Sequence, residues 1–353
     1  MKTENEQHKG FLQRLDIKTI KDNVDKLLDS MPYKERNSLF IIKDGNQWME
    51  DAHNMPIPTM LFSELWHEGE LCILFADTNV GKSILAVQIA DSISKGMPIM
   101  GMKLEAKAQP VVYFDFELFQ KQFEARYSID YQKHYRFHNN FYRAELHPDM
   151  ELMNGCRTFE ECLMMSLEAA VQETGAKVLV IDNLTYLRHE TEQARDALPL
   201  MKELKAFKLR FSLSILALAH TPKRDQSKPI GRNDLQGSKM LINFCDSSFC
   251  IGESNKTQGM RYIKQIKARN TEIVYHSENV LLCIVEKPSN FLQFAIMGTG
   301  EEREHLKTKT DDSDKAYLIQ RCKEMTEEGW SQRHIASELG VGLATVNRYL
   351  KAS

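Results

Sequence analysis

No stretch of the 353-residue chain approaches the roughly 20 consecutive apolar residues that a membrane-spanning helix needs, so functions inside a bilayer are not expected. Pairs of the form C-x-x-C are absent, and the seven cysteines show no clustering with histidine at zinc spacing. That argues against a zinc module and reads as a scattered set of free thiols in a reducing compartment. Cys72 and Cys283 sit inside apolar runs and are expected as small core residues. An excess of positive charge is missing too. The formal net charge is -3, so any contact with nucleic acid has to come from local patches. The opening residues, MKTENEQHKG, lack the apolar core of a secretion signal, and the expectation is a cytoplasmic protein.

What is present is a chain that is 42% hydrophobic and 27% charged, enough for one large domain or two smaller ones with a substantial core. In residues 1–40 Leu12, Leu15, Ile17, Ile20, Val24, Leu27 and Leu28 recur at helical spacing. This N-terminal helical arm packs either on its own domain or on a neighbouring subunit. Residues 41–298 alternate strand-length apolar runs with helical patterns. The runs are LCILFA (71–76), VVYFDF (111–116), KVLVID (177–182) and SILALA (214–219), with helices expected at 82–95, 157–174 and 192–210. Such alternation predicts an α/β domain with a mostly parallel central sheet covered on both faces. After about residue 245 the apolar runs follow one another with short turns, so the sheet is expected to end in antiparallel strands. Residues 299–314 carry almost no large apolar side chains and read as a linker. Residues 315–353 form a separate small helical module.

The first strand runs into Ala76-Asp77-Thr78-Asn79-Val80-Gly81-Lys82-Ser83 and then into a helix. This is the phosphate-binding pattern G-x-x-x-x-G-K-[ST] with alanine at its first position. Backbone amides from Thr78 to Ser83, with Gly81 giving the chain its freedom, would wrap phosphate at a helix N-terminus. Lys82 would place a charge on the β- and γ-phosphates, and Ser83 a hydroxyl on Mg²⁺. The strand VLVID ends in Asp182, whose carboxylate would hold the same metal. ATP and Mg²⁺ are the cofactors this pattern implies. VVYFDFEL adds Asp115, expected to be structural, and Glu117.

The ordered set resembles the RecA-like superfamily, closest to the RepA-like branch of hexameric plasmid-type helicases and related AAA-family ATPases of mobile elements, over roughly residues 55–300. The resemblance implies that Glu117 activates the attacking water and that His220, at the end of SILALA, senses the γ-phosphate. It also implies that Lys267 and Arg269, in RYIKQIKARN, reach the neighbouring subunit's nucleotide as fingers supplied in trans. Asn183 after Asp182 argues against the AAA+ class, where a glutamate would stand there. A buried histidine without that role, or a solvated basic strand end, are the plainer readings of His220 and of Lys267 with Arg269.

Between that sensor strand and the next helix, TPKRDQSKPIGRNDLQGSKM (221–240) carries Lys223, Arg224, Lys228 and Arg232 among glycine and proline. On the resemblance this loop lines a ring channel and follows single-stranded DNA through its phosphates; an ordinary solvated loop is the alternative. Residues 184–196 are a second, mixed-charge loop. At the C-terminus, Ile335, Ala336, Leu339, Val341, Val346 and Leu350 fit two helices joined at Leu339-Gly340-Val341. The pattern resembles the helix-turn-helix of resolvases and bacterial regulators. Thr345, Asn347 and Arg348 would then face the duplex groove and Arg333 the backbone, unless the segment is a protein-docking tail. The expected partners are DNA, single-stranded in the channel and duplex at the helix-turn-helix, and further copies of the chain in a homo-oligomer, a hexamer, with no membrane. Either a DNA motor or loader of a mobile element, with ATPase and helicase activity, or a regulatory ATPase using ATP as an assembly switch fits this sequence.

Overall fold

The computed structural model describes residues 40–147, 156, 158–184, 197–235, 238–308 and 312–351. The expected helical arm and the loop 185–196 lie outside these. The chain divides into two units, residues 1–57 and 58–353. The first contains helix α1 (Gly45–His53). Asp44 caps it by accepting from the Asn46 and Gln47 amides at 2.9 and 3.0 Å, as a short acidic side chain does at a helix start.

The second unit opens with a clip of two antiparallel strands, β1 (Met60–Phe62) and β2 (Trp66–His67). β3 (Leu71–Ala76) is buried at every position, as a strand covered on both faces must be. The phosphate-type loop follows, then α2 (Lys82–Lys95), whose Leu85, Ile89 and Ile93 recur along one buried side. β4 (Val111–Asp115), α3 (Gln120–Arg126), the small pair β5 (Ser128–Ile129) and β6 (Lys133–His134), and β7 (Phe141–Ala144) come next. α4 (Phe159–Thr174) starts where the Thr158 hydroxyl accepts from the Glu161 amide. β8 (Val178–Asp182), α5 (Ala197–Phe211), β9 (Ser214–His220) and α6 (Ser238–Phe244) continue the alternation. β10 (Ser247–Glu253), β11 (Met260–Lys267), β12 (Val280–Glu286) and β13 (Gln293–Gly300) complete the sheet.

The nine strands lie in the order β13-β12-β11-β10-β3-β9-β8-β4-β7. Those from β10 to β7 are mutually parallel, and β11, β12 and β13 are antiparallel. The α/β class and the mostly parallel sheet are as the sequence predicts, with two differences. β10 was expected to begin the antiparallel part, yet it runs parallel beside β3, because the chain crosses through α6 before re-entering the sheet. β7 went unread: FYRA is a short, half-polar edge strand with no apolar run to mark it.

Alternation within each strand divides the core. Leu71, Ile73 and Phe75 join α4 and α5 on one face, with Leu167 and Leu204. Cys72, Leu74 and Ala76 face the other way, toward Leu85, Ile89 and Ile93 of α2. Each such side chain contributes about 1.5–3 kcal/mol by leaving water. β13 is fastened to α2 by one side chain: Gln88 accepts from the Phe294 amide at 2.8 Å and donates to its carbonyl at 3.0 Å.

Cys72, Cys245, Cys250, Cys283 and Cys322 are buried free thiols. Cys156 and Cys162 depart from the expectation of free cysteines throughout. The first turn of α4 brings them to a Cα separation of 5.4 Å, and they are joined by a disulfide.

The linker expected at 299–314 also starts too early. Residues 299 and 300 finish β13, and Glu302–His305 form a 3-10 turn with Glu302 and His305 buried. A charged composition hid the fact that Glu302 has a buried cation, Lys264, to pair with. The C-terminal region is all-helical: α7 (Asp312–Glu327), α8 (Gln332–Glu338) and α9 (Leu343–Lys351). Their own small core comprises Cys322, Met325, Ile335, Val346 and Tyr349, with Ala336, Leu339, Val341 and Leu350 against it. Gly340 has φ 62°, the left-handed turn expected between α8 and α9. None of the described helices is long and apolar enough to cross a membrane.

Gln88→Leu removes both partners of the buried Phe294 backbone, and an unpaired buried polar group costs about 1–3 kcal/mol. The substitution is expected to lower the midpoint of thermal unfolding clearly, whereas Gln→Leu at an exposed helical position should barely move it; circular dichroism melts compare the two.

Candidate active site

The carboxyl ends of adjacent parallel strands collect the chemistry. β3 ends at Ala76, β9 at His220, β8 at Asp182, and β4 leads into Glu117; these are the positions where open α/β sheets place ligands. After Ala76 the loop rises through exposed Thr78 and Asn79, the latter at φ 63°, and descends through buried Val80 to Gly81. Gly81 has φ 111°, and a Cβ there would stand 3.0 Å from the Phe294 ring. Both the backbone and the neighbour therefore demand glycine at the point where the chain turns into α2. Ala76 is fully buried between flanking strands, so its methyl group fits where the pattern has glycine.

Lys82 is buried, and its ammonium donates to the Ala76 carbonyl at 3.1 Å and the Asp77 carbonyl at 3.0 Å. Its third partner is His220 Nδ1 at 3.1 Å. Because an ammonium only donates, Nδ1 accepts there. The other ring nitrogen lies 3.4 Å from Glu117 Oε1 and 3.1 Å from the Asn183 amide nitrogen, which itself donates to Glu117. The hydrogen bond with His220 is the largest influence holding the Glu117 carboxyl below its ordinary range, so Glu117 is ionised at neutral pH. Burial lowers the Lys82 pKa, opposed by the charges of Asp182, Glu117 and Asp77. Asp115 is structural, as expected: it accepts from the Glu117 and Leu118 amides at 3.2 and 2.9 Å and pairs with Arg143 at 2.9 Å. It thereby fixes the turn that presents Glu117.

Asp182 is buried and accepts from the Tyr113 hydroxyl at 2.5 Å and from the Ser83 hydroxyl. Burial pushes its carboxyl up to about 6. A buried carboxylate next to a serine hydroxyl at the start of α2 is a donor pair suited to Mg²⁺, whose charge would offset that burial. Among the described residues no group of three or more His, Cys, Asp or Glu could hold a metal alone. A cation here would therefore take its other ligands from phosphate and water.

A cleft of about 420 Å³ is bounded by Thr78, Asn79, Gly81, Lys82, Ser83, Ile84, Glu117, Arg126 and His220. Arg126 was not read from the sequence. It ends α3, and its Nη1 is buried with no hydrogen-bond partner among the described residues. A guanidinium nitrogen left unsatisfied on the wall of a cleft that holds Lys82 fits an anionic ligand such as a polyphosphate. Nothing in LFQKQFEAR marks it, because α3 is short and its other charged residues face solvent.

The structure brings Lys82, Ser83, Glu117, Asp182 and His220 together; Lys267 and Arg269 lie elsewhere. Lys267 sits opposite Ser248 near the start of β10, so it is level with the beginning of β3 and not its carboxyl end. It caps α6 by donating to the Ile242 and Cys245 carbonyls at 2.5 and 2.7 Å, while Arg269 pairs with Asp246 at 3.1 Å. Within one chain neither reaches the cleft.

Of the loop cations, Lys223, Lys228 and Arg232 are exposed. Arg224 departs from the expected DNA-facing role: its side chain is only 6% accessible and turns inward to Asp77 at 3.6 Å. The acidic residue of the phosphate-type loop draws it in. In the C-terminal helices Arg333 and Arg348 are exposed, and Thr345 and Asn347 are half-buried.

Comparison with known proteins gives one family match, to the family described as AAA domain, over residues 42–226. None of the curated proteins searched matches the chain. Among solved structures, a KaiC-like protein from the hyperthermophilic archaeon Pyrococcus horikoshii OT3 is 15% identical, with a TM-score of 0.44, covering 65% of this chain and 91% of its own.

The raised carboxyl of Asp182 has a definite sign. Stability associated with its protonated form is present at low pH and lost as pH rises through about 6, so ionised Asp182 is a burden at pH 7.5 without a cation. Asp182→Asn should therefore stabilise the protein in chelator, by roughly 1–3 kcal/mol. It should also reduce any further stabilisation that Mg²⁺ with a nucleoside triphosphate gives. Thermal melts in both conditions measure this; a destabilised variant in chelator would contradict it.

Proposed function

Since the chain belongs to the AAA-domain family, matched over more than half of its length, we propose that it is a Mg-ATP-dependent DNA-binding motor or loader of the RepA-like, ring-forming kind. The observation that carries this reading is the convergence of Lys82, Ser83, Glu117, Asp182 and His220 at the carboxyl ends of neighbouring strands, beside a cation-lined cleft.

The geometry supports the following roles. The Thr78–Ser83 amides, Lys82 and Arg126 hold the polyphosphate. Ser83 and Asp182 would hold Mg²⁺, which when bound would supply Lewis-acid charge neutralisation to the phosphate. Glu117, kept ionised by its hydrogen bond from His220, accepts the proton of the attacking water. His220 touches both Lys82 and Glu117, so a change at the phosphate end reaches β9 and the loop that follows it.

Assembly and DNA are the further parts of the proposal. Lys267 and Arg269 serve a neighbouring subunit's site in a hexameric ring, which requires them to leave the α6 carbonyls and Asp246 that hold them in a single chain. Lys223, Lys228 and Arg232 contact single-stranded DNA through phosphates. The α8–α9 pair is a helix-turn-helix that takes duplex DNA through Arg333, Thr345, Asn347 and Arg348. The setting is replication or mobilisation of a plasmid or other mobile element, in the cytoplasm.

Hydrolysis measured with no DNA, single-stranded DNA and duplex, alongside oligomer mass by light scattering, tests the whole reading. Strong single-strand stimulation of a hexamer is the expected outcome. Slow, unstimulated turnover in a monomer or dimer would instead favour a regulatory switch. Glu117→Gln should cut turnover by about 10²-fold or more while nucleotide still binds; wild-type turnover would remove Glu117 from the mechanism. Arg269→Ala should lower turnover only under conditions where the chain assembles, which a concentration series reads out.

A further inference from the structure

Residues 301–308 connect β13 to the C-terminal helices, and their anchoring bonds converge on the 221–235 loop and the end of β10. The Glu302 carboxylate is fully buried and accepts from the Ile230 amide at 2.7 Å and from Lys264 at 2.6 Å. Lys264 in turn donates to the Ile230 carbonyl at 2.8 Å, so both backbone groups of one loop residue are gripped. The Lys307 amide donates to the Gln226 carbonyl at 3.0 Å. The His305 carbonyl accepts from the Asn255 amide at 2.9 Å, and its ring meets the Ser254 hydroxyl at 3.0 Å.

The same loop is tied at its start to the phosphate-type loop. The Thr221 amide donates to the Ala76 carbonyl at 3.1 Å, and its hydroxyl donates to Asp77. Arg224 lies against Asp77, and its Nε has no hydrogen-bond partner among the described residues. Between these ties is a cavity of about 710 Å³, bounded by Asp77, Thr78, Thr221, Arg224, Glu253 and Lys307. Open space on that side leaves residues 222–229 outside the core, whereas Ile230 and Leu235 are buried within it, so packing holds the end of the loop and hydrogen bonds hold its middle. An element held in this way has a second, released arrangement within reach.

We propose that residues 301–308 are a strap coupled to the nucleotide site through the 221–235 loop; this rests on the nucleotide-site reading above. The strap biases the loop that is tied to Asp77 and Ala76 beside the nucleotide cleft. Such coupling is reciprocal, so nucleotide in the cleft must alter the strap.

That reciprocity is measurable on the full chain without knowing the DNA site. Hydrogen exchange is followed with and without Mg²⁺ and adenosine 5′-O-thiotriphosphate. Lys307→Pro removes the amide that bonds Gln226, and Leu306 already has φ -76° and ψ 152°, the conformation a residue before proline adopts. Lys307→Gln removes only the charge. In the unsubstituted chain and in Lys307→Gln, nucleotide should slow exchange about fivefold or more both at residues 78–84 and at 301–308. In Lys307→Pro the effect should remain at 78–84 and be lost at 301–308. Protection at 78–84 that stops short of 301 in the unsubstituted chain would overturn the strap alone. Transmission to 301–308 surviving in Lys307→Pro would overturn it as well. No protection anywhere would overturn the nucleotide-site reading, and the strap with it.

Discussion

The buried ammonium of Lys82 is the constraint around which the second unit is arranged. A cation out of water costs several kcal/mol unless its hydrogen bonds and its charge are both answered. Ala76 and Asp77 carbonyls and His220 answer the first, while Asp182, Glu117 and Asp77 answer the second. Each of those groups is delivered by a different strand end or by the loop itself. The order β3-β9-β8-β4 is thus more than a way to bury Leu, Ile and Val: it brings three carboxylates around one ammonium. His220 occupies the middle of this arrangement because its two ring nitrogens can face the cation and the Glu117 carboxylate at once.

What the residues reveal in advance follows from which forces are local. The strands β3, β4, β8 and β9 were legible because burial on both faces demands continuous apolar runs, and such runs are rare elsewhere in the chain. Gly81 and Gly340 were legible because only glycine relieves a left-handed turn cheaply. Arg126 was not, because its importance lies in being unpaired inside a cleft, which depends on where α3 docks. Arg224 was misread for a similar reason: a basic residue among Gly and Pro reads as solvated until Asp77 is found beside it. The segment 299–308 looked like a linker because composition counts charges and cannot see that Glu302 meets Lys264. The Cys156–Cys162 bond escaped because its spacing matches no redox or metal pattern.

The cleft and the loop that follows His220 differ in how they are built. Lys82, Ser83 and Asp182 rest on β3, α2 and β8, rigid elements with deep cores on both faces. The 221–235 loop is anchored in the core by Ile230 and Leu235, while its middle rests on hydrogen bonds beside open space. Rigid groups suit positioning of phosphate and metal, and a loosely held loop suits response to them.

The seat of Phe294 on Gly81 has a consequence for what counts as an independent piece of this protein. The family-matched segment ends at residue 226, but β10, which flanks β3, and Phe294, which closes over the glycine turn, both come later. A fragment cut at that boundary would turn β3 into an uncovered edge with unpaired amides and carbonyls, prone to add a strand from another molecule. The smallest autonomous folding unit for the nucleotide chemistry therefore runs to at least β13, and the homology boundary and the physical boundary do not coincide.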